Sequence, residues 1–328
     1  KPNGVEDMQE VIKTIEQDEN GIKSLNKKYK ADLFIDCTGF KSLLMGTTLK
    51  EPFDSYEDLL PNNSAWATRM PYKNKKKELV PYTNCTAIEN GWVWNIPLWS
   101  RIGTGYVYSD KFIDDATALK QLQKHLGTKD LEFRNIKMRT GIHERLWVKN
   151  VCTIGLSAGF IEPLESNGLF SVHEFLSQLC RVLDRDEVNQ FDKDAFTHIC
   201  KLTFKNFAEF VALHYAFTSR EDTPYWKHLK NKNWSKSIID LSSDYQNGLL
   251  NAVKNKYIDY SYPVNSGLAA ISAGFNWSPC DLQSICYNNF TDEIKDPKEI
   301  WESQIKTLNK RKKYGIKLLK NYLHYMIF

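Results

Sequence analysis

The stretch from residue 151 to residue 179 most constrains what this chain can fold into. An apolar strand at residues 151–154 runs into a turn that contains Gly155 and Gly159. Apolar residues at helical spacing then follow, namely Leu169, Val172, Phe175, Leu176 and Leu179. This change from strand to helical periodicity across a glycine turn predicts a strand–turn–helix unit.

The turn carries two carboxylates and two residues that favour helix starts. Glu162 and Glu165 flank Pro163, and both Ser166 and Asn167 stand where they can cap the helix that follows. The turn therefore brings ionisable groups close to the predicted start of a helix.

Gly168 leaves the first backbone amides of that helix uncovered. Unpaired N–H groups and the positive end of the helix dipole let an anion bind there without a Lys or Arg. A carboxylate beside an anion pocket indicates a chemical site. An ordinary capped helix with two surface glutamates fits the same residues, so the pattern alone leaves both interpretations open.

Composition excludes several other classes of protein. The 328 residues, 42% of them hydrophobic, suffice for a sizeable core, and the absence of a run of about eighteen apolar residues predicts no membrane span. The seven cysteines form no Cys/His cluster, which predicts reduced thiols, no metal site and a cytoplasmic protein. Net charge is +4. Basic clusters at 73–77 and 310–313 accompany no nucleic-acid module, so we interpret them as solvated surface and expect no nucleic-acid partner.

The N-terminal part predicts a hairpin and then a strand. Asn20-Gly21 between apolar runs is typical of a hairpin turn. The strand at 33–36 ends in residues 37–39 (Cys-Thr-Gly), and the carboxyl ends of strands meet the ligand in dinucleotide-type folds. An ordinary strand and turn without a ligand fits these residues as well.

Farther along, a sheet and then mainly helices are predicted. The sheet-forming runs lie within 64–110 and 132–154, for example 64–69, 86–96 and 105–109, and a helix at 114–126 interrupts them. From Leu169 onward the chain is expected to be mainly helical, with one face marked by Phe204, Phe207, Val211 and His214 and a terminal helix starting at Asp296-Pro297.

Four strings of the sequence carry a family resemblance. They are residues 31–40 (Ala-Asp-Leu-Phe-Ile-Asp-Cys-Thr-Gly-Phe), 92–97 (Trp-Val-Trp-Asn-Ile-Pro), 162–168 (Glu-Pro-Leu-Glu-Ser-Asn-Gly) and 219–226 (Ser-Arg-Glu-Asp-Thr-Pro-Tyr-Trp). In order and separation they resemble motifs of flavin-dependent halogenases, the tryptophan-halogenase-like family. The likeness covers essentially the whole chain. One departure is Asn167, where the family usually has Thr.

The resemblance implies an α/β (α+β) fold. It comprises a flavin monooxygenase-like FAD-binding core, an inserted mixed sheet and a C-terminal helical subdomain. The corresponding division of the chain is 1–45 for part of the FAD-binding core, 46–150 for the inserted sheet, 151–180 for the flavin- and halide-binding turn and helix, and 181–328 for the helical substrate side.

The resemblance also implies the catalytic chemistry. Reduced FAD, oxygen and a halide (chloride, bromide or iodide) form hypohalous acid, which travels through a tunnel to an electron-rich aromatic substrate. Glu165 matches the family's catalytic glutamate, expected to be a buried carboxylate that stabilises the cationic intermediate and accepts its proton. Ser166 matches a serine that orients the substrate or the oxidant. The backbone amides of Asn167 and Gly168 are expected to bind the halide.

Flavin contacts are implied at four positions. Asp36 ends the strand that meets the flavin, and Gly39 lies in the turn after it. Leu156 and Leu169 match positions whose backbone lies against the flavin ring.

The tryptophan motif is implied to lie beside the flavin. Trp92 and Trp94, followed by Ile96 and Pro97, match residues that crowd the flavin and discourage direct monooxygenation. Taken alone, a Trp-x-Trp pair is also typical of core packing, because bulky aromatic side chains dominate buried area.

Two family features are absent from the printed sequence. No strand-linked Gly-x-Gly-x-x-Gly for the flavin pyrophosphate is present, and no lysine can be matched to the family's catalytic one. We therefore expect the chain to be the C-terminal portion of a longer enzyme. A flavin reductase is the implied partner, and a homo-oligomer is compatible with the resemblance. A flavin-dependent aromatic monooxygenase and a catalytically silent flavin-binding protein are the alternatives.

The substrate pocket departs from the tryptophan-specific pattern. Tyr262-Pro263 stands where those enzymes have a Phe-Trp pair. An indole held between rings would lose that clamp, so the sequence predicts a smaller electron-rich arene in preference to free tryptophan.

Overall fold

The computed structural model describes residues 4, 6–234 and 275. The chain divides into two units. The first comprises the residues up to Leu60 together with Arg139–Ala208, and the second comprises Pro61–Met138 together with the residues from Glu209 onward.

The elements follow in chain order. The strands are β1 (Ile15–Asp18), β2 (Gly21–Leu25), β3 (Phe34–Asp36), β4 (Phe53–Ser55), β5 (Ser64–Met70), β6 (Asn84–Ile88), β7 (Gly91–Pro97), β8 (Ile102–Tyr108), β9 (Arg134–Lys137), β10 (Gly141–His143), β11 (Trp147–Val148), β12 (Val151–Thr153) and β13 (Gly159–Phe160). The α-helices are α1 (Lys75–Glu78), α2 (Asp115–Leu126), α3 (Gly168–Leu183), α4 (Gln190–Ala216) and α5 (Pro224–Lys230). Single-turn 3-10 helices occupy Gly39–Lys41, Gly155–Ser157 and Pro163–Glu165, and a π-helix occupies Leu43–Thr48.

The first unit places two strand ends side by side. Strand β3 pairs with β12 in parallel, with Asp36 opposite Thr153, and β11 pairs with β12 in the antiparallel sense. Because β3 and β12 run in the same direction, the turns that follow them leave from the same edge of the sheet. The core beneath this sheet contains Ile22, Phe34, Leu44, Met45 and Val151.

The N-terminal predictions are confirmed. Strands β1 and β2 form an antiparallel hairpin around the Asn20-Gly21 turn, and the strand expected at 33–36 is β3. A second sheet of this unit has the strand order β13-β10-β4 and is antiparallel.

The second unit contains a five-stranded sheet in the order β6-β7-β8-β5-β9. Every pairing in it is antiparallel, so the expectation of a mixed sheet is wrong. The run at 86–96 was expected to be one stretch but forms parts of two strands, because Glu89 and Asn90 make a turn between β6 and β7. Such a two-residue connection joins strands in the antiparallel sense.

Helix α2 confirms the helix expected at 114–126. The Asp114 carboxylate caps it by accepting from the Thr117 amide at 2.8 Å, and Gly127 ends it in a left-handed conformation. Its buried Ala118 and Leu122 pack on the five-stranded sheet in a core that includes Ile88, Val93, Tyr106, Tyr108 and Ile113.

The predicted turn to helical structure after residue 168 is also confirmed, by α3, α4 and α5. On α4 the expected apolar face is buried at Phe204, Phe207 and Val211 and half-buried at His214. Asp296-Pro297, the predicted start of a terminal helix, lies outside the described residues. Within the described part of the chain, no helix is both long and apolar enough to cross a membrane.

These elements confirm the α/β class of the fold. The division into 1–45, 46–150, 151–180 and 181–328 stays a prediction.

Candidate active site

The turn predicted to bear the chemistry follows β12 directly. After Thr153 the chain makes the 3-10 turn Gly155–Ser157, the short strand β13 and the 3-10 turn Pro163–Glu165, and then enters α3 at Gly168. The predicted strand–turn–helix unit is therefore present, with two single turns of helix between its strand and its helix.

Helix α3 begins without a side-chain cap. Asn167 is the N-cap residue, but its φ of −75° and ψ of −8° are helical rather than extended, and its side chain makes no capping hydrogen bond. Ser166 is left-handed at φ 55° and ends the preceding turn, where its amide donates to the Pro163 carbonyl at 3.1 Å. The expectation that these two side chains cap the helix is therefore wrong.

A buried amide group lies at this helix start. The Asn167 side chain is only 6% exposed, and its Nδ2 has no hydrogen-bond partner among the described residues. Leaving a buried donor unsatisfied costs about 1–3 kcal/mol. A Cβ placed on Gly168 would meet no atom within 4 Å, so open space lies beside the next residue. A hydrogen-bond acceptor such as an anion fits both observations.

The two carboxylates of the turn differ in burial. Glu162 is fully buried, whereas Glu165 is exposed. The expectation that Glu165 is a buried carboxylate is therefore wrong in the described structure. Glu162 has an extended backbone before the 3-10 turn (φ −55°, ψ 139°), and Glu165 ends that turn beside left-handed Ser166. Of the two side chains, only that of Glu162 is covered by the rest of the protein. The catalytic role of Glu165, and that of Ser166, stay predictions.

Apolar side chains project into solvent beside both turns at the sheet edge. Leu156 is 46% exposed, Leu169 is 77% exposed and Phe40 is 44% exposed. Gly39 has φ +71°, and a Cβ there would meet no atom within 4 Å. An exposed apolar surface next to open backbone fits a large planar ring, which would cover it. The contacts of Gly39, Leu156 and Leu169 with flavin stay predictions.

Asp36 is fully occupied by its own chain. Its Oδ1 accepts from the amide and the hydroxyl of Thr38 at 3.0 and 2.6 Å, and its Oδ2 accepts from the amides of Leu44 and Met45 at 2.8 and 2.9 Å. Four bonds use the acceptor capacity of a carboxylate. The geometry thus gives the Asp36 side chain a structural role in shaping the turn after β3, and its predicted contact with the cofactor is not tested.

A second buried network joins the same two turns, and sequence reasoning missed it. Ser42 Oγ donates to the Ser157 carbonyl at 2.8 Å, and the same oxygen lies 3.1 Å from His143 Nε2. On the other side, the Ser157 hydroxyl donates to the Asp36 carbonyl. Ser42 and His143 are 101 positions apart, so no local pattern signals the pair.

The tryptophan motif lies on β7 in the second unit. Trp92 is 3% exposed, and its ring centroid lies 6.2 Å from that of Trp94 in a T-shaped arrangement. Trp94 sits opposite Gly105 of β8, where any Cβ would overlap its ring. Core packing therefore accounts for Trp92. Ile96 is 38% exposed and Pro97 half-buried, and the placement of this motif beside a flavin stays a prediction.

The substrate-side prediction at Tyr262-Pro263 lies outside the described residues, as do the basic cluster at 310–313 and the cysteines Cys280 and Cys286. The cysteines within the described residues, Cys37, Cys85, Cys152, Cys180 and Cys200, are all free thiols.

Comparison with known proteins identifies the family. The tryptophan halogenase family model matches residues 1–278. The chain is 36% identical over 236 residues to the 7-chloro-L-tryptophan 6-halogenase KtzR of Kutzneria sp. (strain 744), an alignment that covers 70% of this chain and 46% of that protein. It is 40% identical over 203 residues to the tryptophan 6-halogenase SttH of Streptomyces toxytricini, with coverage of 61% and 39%.

A solved structure agrees over a longer stretch. The apo structure of VirX1 superposes with a TM-score of 0.77 at 35% identity, covering 96% of this chain and 64% of that one. The chain spans less than half the length of the two curated relatives named above. The family model matches well over half of the residues, and the Glu-Pro-Leu-Glu-Ser-Asn-Gly turn stands at the start of α3; the chain belongs to the tryptophan halogenase family.

Proposed function

We propose that this protein is a flavin-dependent halogenase that transfers a halogen from hypohalous acid to an electron-rich aromatic ring. The observation that carries the proposal is the start of α3, where a buried Asn167 amide without a partner adjoins the open Gly168 in a chain of this family. Such a site accepts an anion, which halogenation requires and simple hydroxylation does not.

The halide site consists of backbone and side chain together. The helix N-terminus supplies unpaired amides at Gly168 and the positive end of the dipole of a 16-residue helix. The Nδ2 group of Asn167 supplies a donor that no described protein atom uses. These groups bind an anion without a Lys or Arg. A positive side chain at the site would also attract larger anionic ligands.

The flavin site consists of the turns after β3 and β12. Gly39, Leu156 and Leu169 offer open backbone and exposed apolar side chains on which an isoalloxazine ring can lie. Bound as FADH2, the flavin supplies the two electrons that activate oxygen. Asp36 fixes the conformation of the first turn through its four hydrogen bonds.

Glu165 and Ser166 act on the aromatic substrate. When hypohalous acid halogenates an arene, the ring carbon gains the halogen and loses a proton, and water is released. The Glu165 carboxylate stabilises the cationic ring and accepts that proton. Its exposure leaves it accessible to a substrate. The Ser166 hydroxyl orients the substrate or the oxidant.

The partners follow from this chemistry. A flavin reductase supplies FADH2, and the substrate is a small arene such as a phenol, an aniline or an indole. The free thiols among the described residues agree with a reducing compartment, so we place the protein in the cytoplasm.

Mass spectrometry of reaction products tests the proposal. The full-length protein is incubated with a flavin reductase, NADH, FAD, oxygen and each halide in turn, against a panel of phenols, anilines and indoles. Products with the mass of one added chlorine, bromine or iodine support the proposal. Hydroxylated products indicate a monooxygenase, and flavin binding without turnover on any arene indicates a silent flavin-binding protein.

A further inference from the structure

Two of the four family motifs are linked by hydrogen bonds within the second unit. The motif at 92–97 lies on β7, which follows the turn Glu89-Asn90 of the β6–β7 hairpin. The motif at 219–226 leads into α5. Side chains of the latter motif contact the backbone of the hairpin turn, although the bonded residues are 134 and 138 positions apart.

Thr223 bonds to the hairpin and to its own helix. It is the N-cap residue of α5, and its hydroxyl oxygen accepts from the Trp226 amide at 3.4 Å. The proton of the same hydroxyl is donated to the Glu89 carbonyl at 2.7 Å. The proton and a lone pair thus serve two different partners and do not compete. Thr223 therefore connects the start of α5 to the turn before β7.

Trp226 makes a second bond to this hairpin. Its Nε1 donates to the Ile88 carbonyl at 2.7 Å, and the residue is only 4% exposed. An indole N–H can only donate, so this bond satisfies it. The Arg220 guanidinium lies over the Trp226 ring, with Cζ 4.7 Å from its centroid, and donates to both oxygens of Asp222 at 2.9 and 2.7 Å. The indole is therefore fixed by contacts to its ring face and its N–H.

The five-stranded sheet also binds this turn. The Asn90 amide donates to the Tyr106 hydroxyl of β8 at 3.0 Å, and that hydroxyl donates to Gln121 Oε1 of α2 at 3.0 Å. Gly91 follows with φ +154°, and a Cβ there would overlap the Val107 carbonyl. The turn thus has partners in α5 as well as in the sheet, and its backbone lies too close to β8 for a side chain at Gly91.

The tryptophan pair begins directly after this turn. Trp92 follows Gly91 on β7, opposite Ala87, and Trp94 stands opposite Cys85. Residues two positions apart on a strand share a face. A displacement of the hairpin turn would therefore move both rings together.

We propose that Thr223 and Trp226 are positioning residues: their bonds to the Glu89 and Ile88 carbonyls hold the β6–β7 hairpin and so fix where the Trp92–Trp94 pair stands. The chemical consequence rests on the proposed function and on the predicted role of this pair, which is to favour halogenation over direct monooxygenation. Thr223 and Trp226 act through the backbone of the hairpin, not on the reacting atoms.

Three variants remove or retain the two bonds. Thr223→Val removes both bonds of the hydroxyl at nearly constant size, whereas Thr223→Ser retains the hydroxyl. Trp226→Phe removes the N–H and retains an aromatic ring. It also leaves the cap of α5 in place, because that cap uses the backbone amide of residue 226. An effect shared by Thr223→Val and Trp226→Phe therefore reports the hairpin bonds, not the cap.

Thr68→Val and Trp66→Phe are the matched controls. The Thr68 hydroxyl donates to the Glu132 carbonyl at 2.7 Å, and Trp66 Nε1 donates to the Asp115 carbonyl at 2.8 Å. Each control removes the same kind of bond from the same unit. Both residues lie on β5, which β8 separates from β7.

Amide hydrogen exchange of the full-length, flavin-free protein measures how firmly the hairpin is held. At residues 84–97 we expect exchange about two- to tenfold faster in Thr223→Val and Trp226→Phe, the effect of one lost hydrogen bond. Thr223→Ser and both controls should exchange there like the wild type.

The second measurement is the ratio of hydroxylated to halogenated product from a phenol at saturating halide. This ratio does not depend on how much of a variant is folded, so a general loss of stability leaves it unchanged. We expect it to rise about two- to tenfold in Thr223→Val and Trp226→Phe, within the free energy of one hydrogen bond, and to stay at the wild-type value in Thr223→Ser.

Each outcome supports or overturns a part of the inference. Unchanged exchange at 84–97 in Thr223→Val or in Trp226→Phe overturns the role of that residue, and equal acceleration in the matched controls overturns both roles. Thr223→Ser that behaves like Thr223→Val overturns the role of the hydroxyl. Faster exchange with an unchanged product ratio overturns the link to the reaction. A wild type that halogenates no arene overturns the proposed function and that link together, while the exchange data still decide whether α5 holds the hairpin.

Discussion

Replacing Gly168 with Ala separates halide binding from folding. A Cβ at this position would meet no atom within 4 Å, and Gly168 is the first residue of α3, not a left-handed glycine. Packing therefore gives no reason for a glycine. Alanine favours helical backbone over glycine by up to about 1 kcal/mol, so we expect Gly168→Ala to be at least as stable as the wild type.

In contrast to its effect on stability, Gly168→Ala is expected to impair halide binding. If the anion approaches the amide of residue 168, the new methyl group occupies the open space that the anion needs. Hydrogen bonds to charged groups contribute about 1.5–3 kcal/mol, so loss of one such contact should raise the halide concentration for half-maximal rate by about ten- to a hundredfold. Gly168→Val should raise it further.

Steady-state halogenation at varied bromide concentration measures the halide requirement, and urea unfolding measures the stability. Gly103→Ala is the matched control, because a Cβ there makes only an ordinary contact, 3.9 Å from the Ile96 carbonyl. An unchanged halide requirement in a stable Gly168→Ala protein would refute the anion site at α3. A destabilised protein would refute the reading of Gly168 as open space.

Three further predictions test other parts of the site. Glu165→Gln should lower turnover about a hundred- to ten-thousandfold with FAD binding retained; turnover near that of the wild type would leave Glu165 a surface residue. In a competition assay, a simple phenol should be halogenated in preference to free tryptophan. Pro263 removes one of the two rings of the Phe-Trp pair, and one lost aromatic contact weakens binding by about 0.5–1.5 kcal/mol, about two- to tenfold in affinity; a preference for tryptophan contradicts this. Burial lowers the pKa of His143 in the folded protein below its ordinary value of 6.5. As the pH falls, the unfolded chain therefore takes up this proton before the folded protein does. The free energy of unfolding should have its full value above pH 6.5 and decrease below it. Urea unfolding of the wild type and His143→Gln across this range checks the sign, and parallel curves would refute it.

Local sequence signals predicted the elements well. The Asn-Gly hairpin, β3 and the helical stretches α2 and α3 each depend on residues within a few positions of one another. Such short-range preferences do not require tertiary contacts, and the tertiary structure agrees with them here. The prediction of one strand-forming run at 86–96 was wrong because two polar residues sufficed to turn the chain within an apolar run.

The burial of single side chains and the contacts between distant segments could not be predicted from local sequence signals. The sequence places Glu162 and Glu165 symmetrically about Pro163-Leu164, yet one is fully buried and the other exposed. That difference depends on which side of the turn meets the rest of the unit. The contact of Ser42 with His143 depends on β10 lying beside the turn after β3, which no periodicity in either segment reveals.

At the start of α3, missing hydrogen-bond partners identify the site better than residue types do. More than 90% of buried polar groups in proteins have a hydrogen-bond partner, and most helix starts acquire a side-chain cap or its equivalent. Here the N-cap side chain makes no cap, its own buried Nδ2 has no described partner, and the next residue has no side chain. A single small anion beside Asn167 and Gly168 would satisfy the side-chain donor and the first amides at once. A surface helix start would instead leave Asn167 exposed to water, and its burial is what favours a ligand there.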